Sequence, residues 1–355
     1  EIPLRLVGSE MCIRDRYGYY EGKNEFGELV EGRQGTMESM GRLRRKKMKK
    51  VIVTGANGFV GGALVKELVA NDIEVIALDL KGHSDNLPKS EKVKFYAFDL
   101  SNAQEIKNKI KEKDIDTFYH FAWAGSAGSA RADVTLQLNN AKWTIDCLKL
   151  AKKLGCSRFV NAGSIMELET YAATFKEENR PGLGYIYGSG KLVAHAMCKS
   201  VAADIGIDLV WAMITNAYGV GEKSPRMVNT TIQKCIKGEA PQFTAGTQNY
   251  DFVYIDDVAR AFRLIGQNGK PFCEYLIGSS NAKPLKEFLL EMKEAIAPDL
   301  DFIFGDIPFT GVNQSLDDFD CKKTEQDTGF RAEISFGEGC KRTRDWWLDV
   351  LKEND

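Results

Sequence analysis

The sequence predicts an α/β protein with a doubly wound parallel sheet and a smaller C-terminal lobe. Two observations indicate this fold class. Short apolar segments rich in β-branched residues alternate with segments of helical periodicity, and the first apolar segment runs directly into a glycine-rich turn. Repeated alternation of this kind is typical of a parallel sheet covered by helices on both faces. The 355 residues are enough for one large or two modest domains.

The predicted elements follow one another regularly after residue 50. The first strand is the run Val51-Ile52-Val53, and a helix follows the turn after it. Strands are predicted at residues 51–53, 73–78, 93–98, 117–121, 158–161 and 209–213, and helices at residues 63–69, 103–111, 134–154 and 187–203.

The turn after the first strand contains Gly55, Gly58 and Gly61. In such a turn the first glycine permits the tight bend, the second lets the backbone approach a pyrophosphate, and the third allows close helix packing. The helix N-terminus then faces the anion. Together with Phe59 and Val60, these glycines predict a dinucleotide-binding site of the Rossmann type.

Acidic residues end the second and third predicted strands. Asp79 stands about 20 residues after the turn, where a carboxylate accepts both hydroxyls of an adenosine ribose and repels a 2′-phosphate. This position favours NAD over NADP, although a surface turn acid is the alternative. Asp99 and Leu100 follow the third strand, where an acid and the next backbone amide can meet the adenine edge.

Tyr187 and Lys191 stand four residues apart on a predicted helix, so the phenol and the ammonium share one face. A fixed positive charge lowers the cost of ionising the tyrosine, and we expect a depressed Tyr187 pKa and an acid or base near neutral pH. Ser164 follows an apolar strand and can supply a hydroxyl to the same carbonyl oxygen. A buried aromatic and a strand-end cap are the alternative interpretations. His195, one turn after Lys191, is interpreted as a packed or dimer-facing residue.

Composition excludes several classes of protein. The chain is 43% hydrophobic and 28% charged with a net charge of −2, which is ordinary for a globular protein. No apolar run approaches the roughly 20 residues that span a membrane. We therefore expect a cytoplasmic protein with no membrane or nucleic-acid partner, although the basic run at 42–50 leaves a nucleic-acid-binding tail as an alternative. The eight cysteines are scattered, so we expect reduced thiols and no metal site.

The domain organisation follows from these elements. Residues 1–47 lack sustained periodicity, and we interpret them as a non-globular leader outside the native protein, which would begin at Met48. The predicted dinucleotide-binding domain comprises residues 48–218 and 251–271, and the predicted substrate-binding lobe comprises residues 219–250 and 272–350.

Taken in order, these residues resemble the extended short-chain dehydrogenases/reductases, and within them the NAD-dependent epimerase/dehydratase group typified by UDP-galactose 4-epimerase. The resemblance covers residues 49 to about 347. Besides the residues above, it rests on His120-Phe121-Ala122, Asn139, Asn216-Ala217-Tyr218-Gly219 and the segment 251–259.

The resemblance implies a role for each site residue. Tyr187 would exchange a proton with a sugar hydroxyl or ketone, Ser164 would hydrogen-bond the same oxygen, and Lys191 would hold the nicotinamide ribose and tune Tyr187. NAD is the implied cofactor, with further contacts from the residues Phe121, Ala122 and Asn139.

The resemblance also implies a nucleotide sugar as the substrate and a homodimer formed through the helices 134–154 and 187–203. Ser164, Asn216, Arg226 and Tyr250 are the expected substrate contacts.

Several departures from the family pattern narrow the reaction. Dehydratases carry an Asp-Glu pair after the serine or threonine position, where this chain has Ile165 and Met166. Elimination of water is therefore disfavoured, although Glu167 in a shifted geometry is an alternative. Tyr250 and Ile303 stand where epimerases have arginines that grip the diphosphate, and Met213 replaces a third. Either Arg226, Lys223 or Lys283 holds the diphosphate, or the substrate is not a nucleotide sugar.

Three functions therefore stay open. The first is an NAD-dependent sugar-nucleotide epimerase or oxidoreductase, and the second is a reductase of NDP-4-keto-6-deoxysugars that consumes NAD(P)H. The third is a non-catalytic dinucleotide-binding regulator, which would have no need of Ser164, Tyr187 and Lys191.

Overall fold

A seven-stranded parallel sheet forms the centre of the structure, with strand order β11-β6-β5-β4-β1-β2-β3. The computed structural model describes residues 48–80, 82, 84, 86–309 and 311–353. The predicted leader at residues 1–47 lies outside the described residues. The strands are β1 Lys50–Thr54, β2 Glu74–Asp79, β3 Val93–Ala97, β4 Thr117–His120, β5 Arg158–Ser164, β6 Asp208–Ile214, β7 Asn216–Tyr218, β8 Gln242–Phe243, β9 Asn249–Tyr250, β10 Phe252–Tyr254, β11 Cys273–Ile277, β12 Lys283–Pro284 and β13 Ile303–Phe304.

Helices cover both faces of this sheet, as in a Rossmann fold. The α-helices are α1 Phe59–Ala70, α2 Ala103–Lys109, α3 Val134–Lys153, α4 Met166–Phe175, α5 Tyr185–Ile205, α6 Met227–Lys237, α7 Ile255–Asn268, α8 Leu285–Ile296, α9 Lys322–Thr328 and α10 Phe336–Lys352. Short 3-10 turns lie at Leu100–Asn102, Gly128–Ala132 and Leu316–Phe319. The predicted fold class is confirmed.

Every predicted strand and helix is present. The largest shift of an end, four residues, is at the start of α1, which begins at Phe59 rather than at residue 63. The glycines of the turn hid this first helical turn from the periodicity. Within β1, Val51 and Val53 pack on one side of the sheet and Ile52 packs on the other. All three are fully buried, because a central parallel strand is covered on both faces.

The seventh strand of the sheet was not predicted as such. Residues 273–277 were assigned to the substrate-binding lobe, but β11 pairs in parallel with β6 and extends the main sheet. Its short run Tyr275-Leu276-Ile277 is buried there. A strand of five residues at a sheet edge carries too little pattern to reveal which sheet it joins.

The remaining strands form three separate pairs, β7 with β10, β8 with β13 and β9 with β12. An aromatic cluster of Phe252, Phe288 and Phe336 packs beside them, with ring centroids 5.0 to 5.1 Å apart. These elements lie after β6 in the chain and build the wall of the site described below. Within the part of the chain that the structure describes, no helix is long and apolar enough to cross a membrane.

The chain reverses direction across the sheet at β1. From β1 it continues to β2 and β3 on one side, and β4, β5 and β6 then follow on the other side. A crevice opens at the carboxyl ends of the strands where the order reverses, and ligands bind there in open α/β sheets. The glycine turn after β1 and the segment after β4 both lie at this point.

Candidate active site

The glycine turn leaves room for a bound group beside its backbone. Gly55 has a φ of 63°, which favours glycine, and a Cβ at Gly61 would lie 2.1 Å from the Gly55 carbonyl oxygen. Gly58 is the N-cap of α1 and provides no side-chain cap, so the first N–H groups of the helix keep no side-chain partner there. Such a turn fits the pyrophosphate of a dinucleotide.

A cavity of about 580 Å³ opens beside this turn, and we call it the main cavity. It brings together most of the residues that the sequence singles out. Its lining includes Gly55, Gly58, Phe59, Val60, Gly61, Asp79, Asp99, Leu100, Phe121, Ala122, Ser164, Tyr187, Lys191 and Arg226. The predicted dinucleotide-binding and proton-transfer residues thus border one space.

The two strand-end carboxylates differ in what they hold. Asp79 accepts hydrogen bonds from the backbone N–H groups of Asn57 and Leu80, both at 2.8 Å, and so ties the end of β2 to the glycine turn. Asp99 accepts from the N–H and the hydroxyl of Ser101, and the hydroxyl contact lowers the pKa of Asp99. Both carboxylates border the main cavity.

Ser164 and Tyr187 meet at the end of β5. Both residues line the main cavity, and Tyr187 is only 9% exposed. Burial raises the pKa of Tyr187, and it outweighs the opposing charges of Arg131 and Arg226 and the contact with Ser164. The expectation of a depressed pKa from Lys191 is therefore not met in this geometry.

Lys191 is buried and turned towards the backbone. Its Nζ donates to the Ala162 carbonyl oxygen at 2.8 Å and lies 3.8 Å from the centroid of the Trp123 ring, but 6.0 Å from that of Tyr187. Burial lowers the pKa of Lys191 to about 7, and the Glu167 carboxylate opposes this shift. The charge of Lys191 is thus sensitive to the carboxylate behind it.

Arg131 was missed by the sequence reasoning. Its Cζ lies 4.5 Å from the centroid of the Tyr187 ring, and it forms no ion pair with any residue that the structure describes. It is in the segment after β4, where the structure has only a short 3-10 turn, so no periodic pattern marked it. The only signal was an arginine in a loop that follows a sheet strand at the carboxyl edge.

A second cavity of about 310 Å³ adjoins the main cavity and shares Glu222 and Arg226 with it. The predicted substrate residues Asn216, Arg226 and Tyr250 line it, together with Arg131. Asn216 donates to the Asp251 carbonyl oxygen at 3.1 Å, and Tyr250 stacks on Phe252 with the ring planes 7° apart. Arg226 lies 3.7 Å from the Glu222 carboxylate. Guanidinium groups and aromatic rings thus form this wall.

Some predicted residues lie elsewhere. Asn139 lines neither cavity, whereas its buried neighbour Asn140 holds the segment after β4 through two hydrogen bonds to the backbone of Ala124. Lys283 is paired with Glu291 at 2.7 Å, and Lys223 lines neither cavity.

Glu167 and His195 form a buried pair behind β5 rather than in either cavity. The distance from His195 Nδ1 to Glu167 Oε2 is 3.0 Å. From the sequence, His195 was interpreted as a packed or dimer-facing residue. Its contact with Glu167 was not predicted. No group of three or more metal-binding side chains occurs among the described residues.

The fold, the glycine turn and the main cavity define a dinucleotide-binding α/β protein. Comparison with known proteins agrees. The family model described as the NAD dependent epimerase/dehydratase family matches residues 51–278. That span is well over half of the chain.

The chain is similar to a putative UDP-glucose 4-epimerase from Methanocaldococcus jannaschii, with 29% identity over 83% of this chain and 97% of that protein. It is also similar to a dTDP-4-dehydro-6-deoxyglucose reductase from Escherichia coli, with 24% identity over 81% of this chain and 94% of that protein. Proteins named as dTDP-glucose 4,6-dehydratases are further relatives.

Among solved structures, the fold is similar to that of UDP-N-acetylglucosamine 4-epimerase from Methanobrevibacter ruminantium. The TM-score is 0.73 at 22% identity, and the match covers 86% of this chain and all of the other. The chain belongs to the NAD dependent epimerase/dehydratase family, and its cofactor is NAD.

Proposed function

We propose that this enzyme of the epimerase/dehydratase family is a sugar-nucleotide epimerase or oxidoreductase that transfers hydride at a carbinol or ketone carbon of the sugar. One observation carries the proposal. Ser164 and Tyr187 line the same cavity as the glycine turn. This shared cavity supports a proton-transfer role for Tyr187 beside the proposed cofactor site.

In this proposal Tyr187 is the acid and base of the reaction. Oxidising a carbinol requires a group that takes the hydroxyl proton, and the reverse reaction returns it from the same group. NAD supplies the hydride acceptor and donor. Ser164 holds the reacting oxygen and orients Tyr187. Lys191 binds the nicotinamide ribose. Its ammonium lies 3.8 Å from the centroid of the Trp123 ring.

Two arginines take the place of the family arginines that are absent at Tyr250 and Ile303. Arg131 and Arg226 line the second cavity, and each lies near enough to Tyr187 to oppose the rise in its pKa. A guanidinium matches the oxygens of a phosphate in two-point contacts. We therefore infer that a nucleotide sugar binds with its diphosphate against these arginines and its sugar against Tyr187.

Elimination of water is disfavoured in this site. The side chains of Ile165 and Met166 have no group that can donate or accept a proton. Glu167 lies behind β5 and lines neither cavity. A carboxylate that does not border the cavity cannot exchange a proton with the sugar. The dehydratases among the relatives keep this alternative open to experiment.

Reduction of an NDP-4-keto-6-deoxysugar is the second candidate. It uses the same three residues, with Tyr187 donating its proton. The similarity to the dTDP-4-dehydro-6-deoxyglucose reductase of Escherichia coli favours this candidate. A non-catalytic regulator has the least support, because Ser164, Tyr187 and Lys191 are all placed at the cavity.

We also propose a homodimer that forms through α3 and α5 in the cytoplasm. These helices pack against each other, yet Val134, Leu138 and Met197 on them are more than half exposed. An apolar surface of this kind is typical of an interface. Light scattering of the purified chain gives the oligomeric state, and a monomer at micromolar concentration would contradict the dimer.

The reaction is tested by product identification. The full chain with NAD is supplied with UDP-glucose or UDP-N-acetylglucosamine, and with NADH and dTDP-4-keto-6-deoxyglucose. An isomerised sugar without net change of NADH identifies an epimerase, whereas one NADH lost per reduced sugar identifies a reductase.

Tyr187→Phe tests the proton-transfer role. It removes only the hydroxyl, so we expect kcat to fall by about 100-fold or more with NAD affinity retained. Full turnover in Tyr187→Phe would contradict the proposed site.

A further inference from the structure

Glu167 is a buried carboxylate directly behind the proposed site. It lies on the first turn of α4 and is 1% exposed. Its Oε1 accepts from the backbone N–H of Ser164 at 2.9 Å and from Trp211 Nε1 at 3.0 Å, while Oε2 lies 3.0 Å from His195 Nδ1. A buried charge is costly unless it is paired and hydrogen-bonded, and this one is both. Three separate elements therefore converge on one carboxylate.

Gly163 makes this arrangement possible. A Cβ at this position would lie 2.4 Å from Trp211 Nε1 and 2.7 Å from Glu167 Oε1. No larger residue fits unless the indole or the carboxylate moves. The end of β5 is therefore shaped to let the carboxylate reach the peptide of Ser164.

His195 has a carboxylate at each ring nitrogen. Nδ1 faces Glu167, and Nε2 lies 3.4 Å from Glu274 of β11. Because an ionised carboxylate only accepts hydrogen bonds, the doubly protonated imidazolium satisfies both contacts. The ring also lies flat on Trp211, with centroids 4.3 Å apart and planes 3° apart, which favours a cation.

The charges around His195 come from each element packed against it. Burial disfavours the cation, but the hydrogen bonds to Glu167 on α4 and Glu274 on β11 outweigh burial and raise the His195 pKa. On α5 itself, Lys199 pairs with Glu274 at 2.5 Å, and Lys191 feels the charge of Glu167. The residue of β6 that contacts His195 is Trp211, which carries no charge.

We propose that Glu167 is a positioning residue for Ser164, and that protonated His195 is the cation that pairs with Glu167 and holds it in its buried place. This inference rests on the proposed function, because it assigns Glu167 a role through the Ser164 and Tyr187 pair. The Ser164 hydroxyl also accepts from the Met166 N–H at 3.2 Å. Glu167 fixes the peptide and Met166 the hydroxyl, so together they set where Ser164 meets Tyr187.

The proposal predicts that the contribution of His195 to activity is lost at alkaline pH. The raised pKa of His195 means that the ion pair is fully present at low pH and is lost as the pH rises through that pKa. Without the imidazolium, the buried carboxylate loses its cation and the support of Ser164 weakens. The ratio of the wild-type kcat to the His195→Phe kcat should therefore decline as the pH rises, because the titration of Tyr187 affects both proteins alike.

Three variants of the full chain with NAD test this inference. They are Glu167→Gln, which keeps an acceptor oxygen without the charge, Glu167→Ala, which removes both, and His195→Phe, which keeps the ring stacking. kcat and KM are measured between pH 6 and 9 with the sugar nucleotide identified as above. We expect Glu167→Ala to lower kcat by about 10- to 100-fold, with Glu167→Gln intermediate and KM changed less than about twofold. His195→Phe should lower kcat below the pKa of His195 and approach the wild-type kcat above it.

Cys198→Ala is the matched control. Cys198 is a buried residue of α5, one turn beyond His195, and it belongs to the core rather than to this network. We expect this variant to lose thermal stability but to keep the wild-type kcat and pH profile. If kcat falls as much in Cys198→Ala as in His195→Phe, both losses come from disturbed packing rather than from the Glu167–His195 pair. That result would overturn the proposal.

Hydrogen exchange provides a readout that needs no substrate. We expect the segment 158–168 to exchange faster in Glu167→Ala and Glu167→Gln than in the wild type. Wild-type kcat, pH profile and exchange in the Glu167 variants would overturn the inference. If Tyr187→Phe is inactive at the same time, the proposed function survives; if Tyr187→Phe keeps full turnover, the proposed function itself has failed.

Discussion

The main cavity and the second cavity have different walls. In the main cavity the glycine turn contributes backbone, and a Cβ at Gly61 would lie 2.1 Å from the Gly55 oxygen. The second cavity is lined by side chains from separate parts of the chain, among them Arg131 after β4, Arg226 at the start of α6 and Tyr250 in β9. The cofactor site therefore depends on local backbone geometry, whereas the proposed sugar site depends on how distant segments meet.

This difference fits the expectation from the resemblance that the family pattern is retained at the glycine turn and altered at Tyr250 and Ile303. A backbone cradle for a pyrophosphate has few alternatives, because only glycine permits the close approach. A guanidinium can reach the same phosphate from several positions on the wall, since its side chain is long. Arginines at 131 and 226 can thus serve where Tyr250 and Ile303 cannot.

The strongest test of the backbone cradle is Gly61→Ala. The new methyl would lie 2.1 Å from the Gly55 carbonyl oxygen, so the turn has to open. We expect NAD affinity, measured by calorimetric titration, to fall by about 10- to 100-fold, in line with the cost of overpacking. Gly62→Ala is the control, because a Cβ there would lie 3.4 Å from the nearest atom, the Ala56 oxygen. Equal affinities in the two variants would show that the turn tolerates side chains.

The same contrast decides how much of the molecule could be predicted from the sequence. The strand–helix alternation and the glycine turn are local patterns, and they predicted the fold and the lining of the main cavity. Asp79 was predicted to end a strand, and it ends β2 and lines the main cavity. Its hydrogen bond to Asn57 spans 22 residues and closes the turn that the spacing had suggested.

What escaped prediction depends on contacts between distant segments. Arg131 reaches Tyr187 across 56 positions (187 − 131) from a loop without periodicity. Glu167 meets Trp211 and His195 only because α4, β6 and α5 pack together. Asn140 rather than Asn139 braces the loop after β4, since a shift of one residue on a helix turns the side chain by about 100°. Sequence spacing does not encode such choices.

Asp79→Ala tests cofactor selection at the adenosine end of the main cavity. The carboxylate would accept the ribose hydroxyls of NAD and repel the 2′-phosphate of NADP. We expect the ratio of the NAD and NADP dissociation constants to shift towards NADP by about tenfold, as for the loss of a charged hydrogen bond. Glu74→Gln, at the exposed opposite end of β2, serves as the control. An unchanged ratio in Asp79→Ala would mean that another residue selects the cofactor.

Arg131→Met tests whether a residue of the second cavity controls the pKa of Tyr187 in the main cavity. Burial raises the pKa of Tyr187, and the Arg131 charge is the largest of the opposing influences. Oxidation of a carbinol needs Tyr187 without its proton, so that reaction becomes faster as the pH rises through this pKa. Without Arg131 the pKa rises further, and we expect the acid limb of the pH profile of kcat/KM to move to higher pH. Arg180→Met, at an exposed position, should leave the profile unchanged. A higher KM with an unmoved limb would mean that Arg131 binds the substrate without acting on Tyr187, because only an effect on the phenol changes where the rate titrates.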